Sequence, residues 1–194
     1  MKDIRVQNVS KSYGDEVVLN KLSFDIVAGK VTAIVGASGI GKTTILRILM
    51  GLEKQDTGSI EADSDMRISA CFQEDRLCEN LNSVGNIRLV SPSLSIEEVV
   101  KHLEDFGLLE SKDKKVSELS GGMRRRVALL RAVLNDANVI YMDEPFKGLD
   151  DETKQKVIQK TARLVENRTV VIVTHDIGEL NSFHCDKIID LNIK

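Results

Sequence analysis

Apolar and polar positions along the chain follow two periods. The first thirty residues are strand-like. Residues 4–9 (Ile4-Arg5-Val6-Gln7-Asn8-Val9) and 22–26 (Leu22-Ser23-Phe24-Asp25-Ile26) are short runs with alternating character, and Gly14-Asp15 supplies a turn between them. Residues 31–35 (Val31-Thr32-Ala33-Ile34-Val35) read as a strand of the buried kind, followed by a Gly-rich turn. The spacing then predicts a helix over about 42–50, which Gly51 can terminate. Residues 59–61 and 67–72 are further strands. Between residues 80 and 134 the period becomes helical. There Ser95-Ile96-Glu97-Glu98 has capping-box spacing, and Ile96, Val99, Val100, Leu103 and Phe106 form one apolar face. From Val139 the pattern returns to strand (139–142), helix (151–166, with Val157, Ile158, Ala162 and Val165 inward), strand (170–174) and a last strand at 187–191. Apolar strands alternating with helices predict an α/β fold, a parallel sheet covered on both faces. Residues 80–134 are then a helical insertion within one domain spanning 1–194.

Composition narrows the classes of function. The 194 residues carry 27 basic and 30 acidic side chains, a net charge of −3, which speaks against broad binding to nucleic acid. Two Tyr, five Phe and no Trp leave few rings for stacking bases. No apolar run approaches the roughly 18–20 residues that span a bilayer, and Met1-Lys2-Asp3-Ile4-Arg5 opens without a secretion-type segment. The three cysteines, Cys71, Cys78 and Cys185, lack CxxC spacing and are expected as reduced thiols of a cytoplasmic protein.

The chemistry is concentrated at three places. Gly36-Ala37-Ser38-Gly39-Ile40-Gly41-Lys42-Thr43-Thr44 has the glycines, Lys and Thr of a phosphate-binding loop, and it stands between a buried strand and a helix. Glycines let successive amides curl toward one anion, and the helix N-terminus adds partial positive charge. Lys42 is placed to reach the β- and γ-phosphates, and the Thr43 hydroxyl to ligate Mg²⁺. Second, the apolar strand at 139–142 ends in Asp143-Glu144, at the carboxyl end where doubly wound sheets bind ligands. Asp143 is assigned to the Mg²⁺ shell and Glu144 to the attacking water as general base; alone, the pair also fits a solvated acidic turn. Third, Ser120-Gly121-Gly122 opens a helix running to about Leu134, with Met123, Val127, Leu130 and Leu134 inward. This is either a second anion-seeking helix terminus or an ordinary capped helix on which Arg124, Arg125 and Arg126 form a solvated face.

Leu119-Ser120-Gly121-Gly122-Met123, after the phosphate loop and before Asp143-Glu144, resembles the signature motif of the ATP-binding-cassette (ABC) ATPases, and the motif order is that family's. The resemblance implies a P-loop NTPase (RecA-like) core with an N-terminal antiparallel β part and an inserted helical subdomain. It also implies further roles. Tyr13 would stack on adenine. Gln73 would contact Mg²⁺ and sense the partner subunit. Asp150, in Gly148-Leu149-Asp150, would lie at a dimer interface, and His175 would lie near the γ-phosphate. Standing alone, these residues fit a turn aromatic, a strand-end amide and a capping histidine. Met123 replaces the usual Gln, Arg125 stands where another Gln is frequent, and Gly148 replaces a frequent Ala. Met123, together with Phe72-Gln73-Glu74-Asp75-Arg76-Leu77, is similar to importer ATPases for sulfonates, nitrate and taurine.

In that family, two domains sandwich ATP between the phosphate loop of one and the signature of the other. The resemblance therefore implies ATP hydrolysis with Mg²⁺ in a homodimer, attached to the cytoplasmic face of a membrane through a transmembrane permease, with a substrate-binding protein as a further partner and no nucleic acid. The residues from Gln73 to Ser120 would dock the permease. The competing readings are a non-transport ATPase of the same fold, a P-loop small-molecule or nucleotide kinase, and a nucleotide-binding scaffold without turnover.

Overall fold

In the computed structural model, which describes residues 1–192, two sheets share the core. Strands β1 (Ile4–Tyr13) and β2 (Glu16–Ile26) form an antiparallel hairpin around Gly14-Asp15, and β4 (Thr57–Glu61) pairs antiparallel with the other edge of β1. The larger sheet is parallel throughout, with order β5-β6-β7-β3-β8, built from β3 (Val31–Val35), β5 (Ile68–Cys71), β6 (Val139–Asp143), β7 (Thr169–Thr174) and β8 (Lys187–Asp190). The helices are α1 (Lys42–Leu49), α2 (Ser83–Arg88), α3 (Ile96–Asp105), α4 (Gly121–Val133) and α5 (Asp151–Leu164).

The central strands β3, β6 and β7 are mostly apolar and fully buried because both of their faces are covered. In β6, Val139 and Tyr141 pack with α1 and the β1–β2 sheet, whereas Ile140 and Met142 pack with the helices that follow β5. In β7, Val171 and Val173 take the first side and Val170 and Ile172 the second. Period-two alternation thus feeds two hydrophobic layers from one strand.

The N-terminal strands run further than the alternation predicts, to Tyr13 and from Glu16. Register shifts after Val6, Val9 and Lys11, with Asn8 at φ +50°, break the period-two signal while the hydrogen-bonded ladder continues. Gly51 does end α1: at φ +70° it donates its amide to the Ile48 carbonyl, and the Leu52 amide reaches back to Arg47, closing the helix in a Schellman motif.

The α3 capping box is formed in full. The Glu98 amide donates to Ser95 Oγ at 3.1 Å, and the Ser95 amide donates to the Glu98 carboxylate at 2.8 Å. Val99, Leu103 and Phe106 are buried as predicted, but Ile96 is 51% exposed. It occupies the first helical position, one turn before the helix meets the core, so only the later part of the apolar stripe is covered. The three cysteines are free thiols. Among the described residues, no helix is long and apolar enough to cross a membrane.

Leu103 is fully buried in the layer that holds the inserted helices against the parallel sheet. Leu103→Ala is expected to destabilise the chain by about 2–5 kcal/mol through lost transfer energy and a residual cavity. Urea denaturation checks this; a loss within error of zero would mean that α3 contributes nothing to the core.

Candidate functional site

Four neighbouring strands of the parallel sheet, β5, β6, β7 and β3, end at one edge, and each is followed by residues the sequence singles out: Gln73, Asp143-Glu144, His175 and the loop at Gly36. Because the strands are parallel, their carboxyl ends converge there whatever their separation along the chain. The edge holds a cleft of about 620 Å³, and its walls include Lys42, Thr43, Gln73, Asp143, Glu144 and His175.

The loop between β3 and α1 is shaped for an anion. Gly41 takes φ +105°, and a β-carbon there would lie 2.8 Å from Leu19 and 2.9 Å from Val18. Both the conformation and the close approach of β2 therefore require glycine. The Lys42 ammonium folds back onto the loop, donating to the carbonyls of Gly36 at 2.8 Å and Ala37 at 2.9 Å. Ser38 and Gly39 face the cleft, as does Thr44 in the first turn of α1.

Asp143 is 3% exposed, not on a solvated turn. Its Oδ2 accepts from the Thr43 hydroxyl at 2.9 Å, while its buried Oδ1 has no partner. Burial pushes this carboxyl above the usual range, the neighbouring Glu144 adds to the rise, and the Thr43 hydrogen bond opposes it. A buried carboxylate oxygen without a donor, beside the Thr43 hydroxyl in a cleft also lined by Gln73, offers oxygen donors of the kind that suit Mg²⁺. Glu144 sits at φ +47°, a conformation uncommon outside glycine, fixed by its amide donating to the Val173 carbonyl at 2.9 Å. Its carboxylate lies 2.8 Å from Nδ1 of His175. A contact with a carboxylate requires a proton on Nδ1, which leaves Nε2 facing away from Glu144.

Other predicted site residues lie outside this cleft. The Tyr13 ring is 48% exposed and its hydroxyl donates to Glu53, which raises the phenol above its ordinary range. Ser120 caps α4, its Oγ accepting from the Met123 amide at 3.3 Å. Asp150 caps α5, accepting from the Thr153 amide at 3.0 Å. The two helix starts are neighbours: a β-carbon on Gly122 would lie 3.6 Å from the Gly148 carbonyl. Gly121 and Gly122 therefore share a surface with Gly148-Leu149-Asp150, apart from the cleft.

Two residues escape the sequence reading. Lys147 lines the cleft, carried there by the short loop after Asp143-Glu144. Arg125, which one of the two readings of this helix put on a solvated face, is 4% exposed. Its guanidinium donates to backbone carbonyls of the loops after β5 and β6.

A fold of this topology with a phosphate loop, paired strand-end acids and a capped Ser-Gly-Gly helix defines a class of nucleotide-binding proteins, and comparison with known proteins agrees. Residues 19–147 match the model of the ABC transporter family, and the chain belongs to that family. It is 36% identical over 203 residues to a Nod factor export ATP-binding protein I of Rhizobium meliloti (strain 1021), covering 95% of this chain and 60% of that protein. It is 34% identical over 184 residues to an aliphatic sulfonates import ATP-binding protein of Mesorhizobium japonicum, covering 89% of this chain and 69% of the relative. The chain thus spans only 60% of the first relative's length, and relatives named for export and for import match at similar identity. Among solved structures, a dimeric ATP-binding cassette in a post-hydrolysis state with ADP and Pi superposes with a TM-score of 0.78 at 30% identity, covering 91% of this chain and 89% of that one.

The buried, half-satisfied Asp143 makes a stability prediction. Its folded-state pKa is raised, so its ionised form weakens the fold: the penalty is absent below the ordinary carboxyl value of 3.8 and complete above the raised value. Asp143→Asn is therefore expected to raise the melting temperature of the nucleotide-free protein at neutral pH by a few degrees, and the gain should vanish as pH falls below 3.8. Calorimetry of both proteins across pH checks this. A lower melting temperature for the Asn variant at neutral pH would contradict it.

Proposed function

We propose that the chain is the ATP-binding and ATP-hydrolysing domain of a membrane transporter, working as a head-to-tail dimer around two ATP molecules. The observation that carries this reading is the separation of two nucleotide-recognition surfaces on one chain: the cleft holds the phosphate loop and both acids, while Ser120, Gly121, Gly122 and Asp150 lie outside its walls. A second copy brings its Ser120 helix terminus to the mouth of the first copy's cleft, and the reverse.

In this reading the loop amides of residues 36–44 and the α1 terminus cradle the phosphates, and the Lys42 ammonium leaves the carbonyls of Gly36 and Ala37 for the β- and γ-phosphates. The Tyr13 ring stacks on adenine. Thr43, Gln73 and Asp143 would hold Mg²⁺, which when bound neutralises phosphate charge. Glu144 takes a proton from the attacking water, and His175, pinned by its Nδ1 proton to Glu144, keeps the carboxylate aimed and presents Nε2 toward the γ-phosphate. Ser120, Gly121 and Gly122 complete the partner's site with a hydroxyl and helix-terminal amides, and Asp150 stands at the same interface. Product release then separates the copies. A transmembrane permease docks on the residues between Gln73 and Ser120, which places the domain on the cytoplasmic face of the membrane. In an importer, a substrate-binding protein completes the assembly, and cargo is selected by those subunits.

Glu144→Gln keeps the shape of the side chain and removes the base. It is expected to lower turnover by about 10²–10⁴-fold while leaving an ATP-bound dimer that persists in size-exclusion chromatography with MgATP. A variant that stays monomeric at saturating MgATP would sink the sandwich arrangement.

A further inference from the structure

Arg125 is buried where a helix faces two strand-end loops, and all five of its N–H groups are used. Nε donates to the Pro145 carbonyl at 2.9 Å, and Nη2 donates to the carbonyls of Asp143 at 2.9 Å and Glu144 at 2.7 Å. Nη1 donates to the Phe72 carbonyl and faces the Asp75 carboxylate at 3.4 Å. The same acceptor loop is held twice more from α4, by Arg124 Nε at 4.0 Å from the Asp75 carboxylate and by Arg131 Nη2 donating to the Asp75 carbonyl at 3.3 Å. One rigid, planar side chain therefore ties three segments together: the loop that carries Gln73, the turn that carries Asp143 and Glu144, and the helix that begins at Ser120. Arg125 does not itself line the cleft.

The consequences lie in geometry. Glu144 holds an uncommon φ of +47°, and the guanidinium bonds to the carbonyls on both sides of its peptide, Asp143 before it and Glu144 itself. Removing those donors would strip the guanidinium bonds from the Asp143 and Pro145 carbonyls and leave the Glu144 carbonyl only the Lys147 amide, at the turn that aims the Glu144 carboxylate. A lysine would keep the charge but not the fork, since an ammonium is a compact group with three donors. We propose that Arg125 is a positioning residue for hydrolysis: it locks the Glu144 turn and the Gln73 loop against one another and fixes both relative to the Ser120 helix, so that the acids serving one nucleotide and the helix serving the other keep a set spacing. The inference rests on the hydrolytic reading above.

The test is steady-state ATPase kinetics and direct nucleotide titration of the purified full chain and its Arg125→Lys variant. Because Arg125 lies outside the cleft, ATP affinity is expected to stay within about twofold, while kcat falls about ten- to a hundredfold, the effect of a misaimed reacting group. Should Arg125→Lys fail to fold, Asp75→Asn loosens the same grip from the acceptor side and is expected to lower kcat about two- to tenfold with affinity again retained. An unchanged kcat in the folded variant overturns the inference, as does a loss of affinity matching the loss of kcat, which is the signature of general structural damage. A wild-type chain that binds ATP but turns over none, alone or with its membrane subunit, overturns the hydrolytic reading itself; an active wild type with an equally active variant overturns the role of Arg125 alone.

Discussion

The hydrogen bond from the Thr43 hydroxyl to Asp143 joins the first turn of α1 to the end of β6, with β7 passing between β3 and β6 in the sheet. The parallel sheet brings these two segments, a hundred residues apart, to one edge, and this bond fixes the phosphate loop against the strand-end acids. The cost falls on Asp143, whose carboxylate is buried with one oxygen lacking a donor. Folding keeps this unfavourable group because the strand that carries it, β6, is apolar on both faces and anchored in both hydrophobic layers. The core thus holds in place a half-satisfied acid that the nucleotide-free fold would be more stable without, as expected where binding chemistry is preorganised.

Much of the cleft was legible in the sequence because its parts are local. A phosphate loop is set by glycines at fixed offsets between a buried strand and a helix, and strand-end acids are set by an apolar run that stops. Gly51 and the Ser95–Glu98 box were legible for the same reason, since a cap is decided within a few residues. The parallel sheet follows from strands alternating with helices, and the cleft then follows from the sheet, because parallel strands share a carboxyl edge.

What remained hidden depends on contacts distant in sequence. Helical periodicity assigns Met123, Val127 and Leu130 inward and leaves Arg125 off that stripe, yet Arg125 is buried. It meets carbonyls 18 to 53 residues away, at strand ends that expose polar backbone rather than apolar side chains. A hydrophobic pattern cannot register a burial satisfied by hydrogen bonds. The His175–Glu144 contact spans 31 residues and is equally silent in the sequence. The length of β1 was hidden by its bulges, which scramble alternation without ending the ladder.

The central claim is that each chain carries two incomplete halves of a nucleotide site. The most direct measurement is ATPase activity on mixing two disabled chains. Lys42→Ala removes the phosphate-binding ammonium but leaves the Ser120 helix intact, and Ser120→Arg does the reverse. A mixed dimer regains one complete site, made from the cleft of the second chain and the helix of the first. The account predicts that each variant alone is inactive and that mixing them before ATP is added restores hydrolysis. Activity in the mixture no greater than the sum of the separate chains would contradict it.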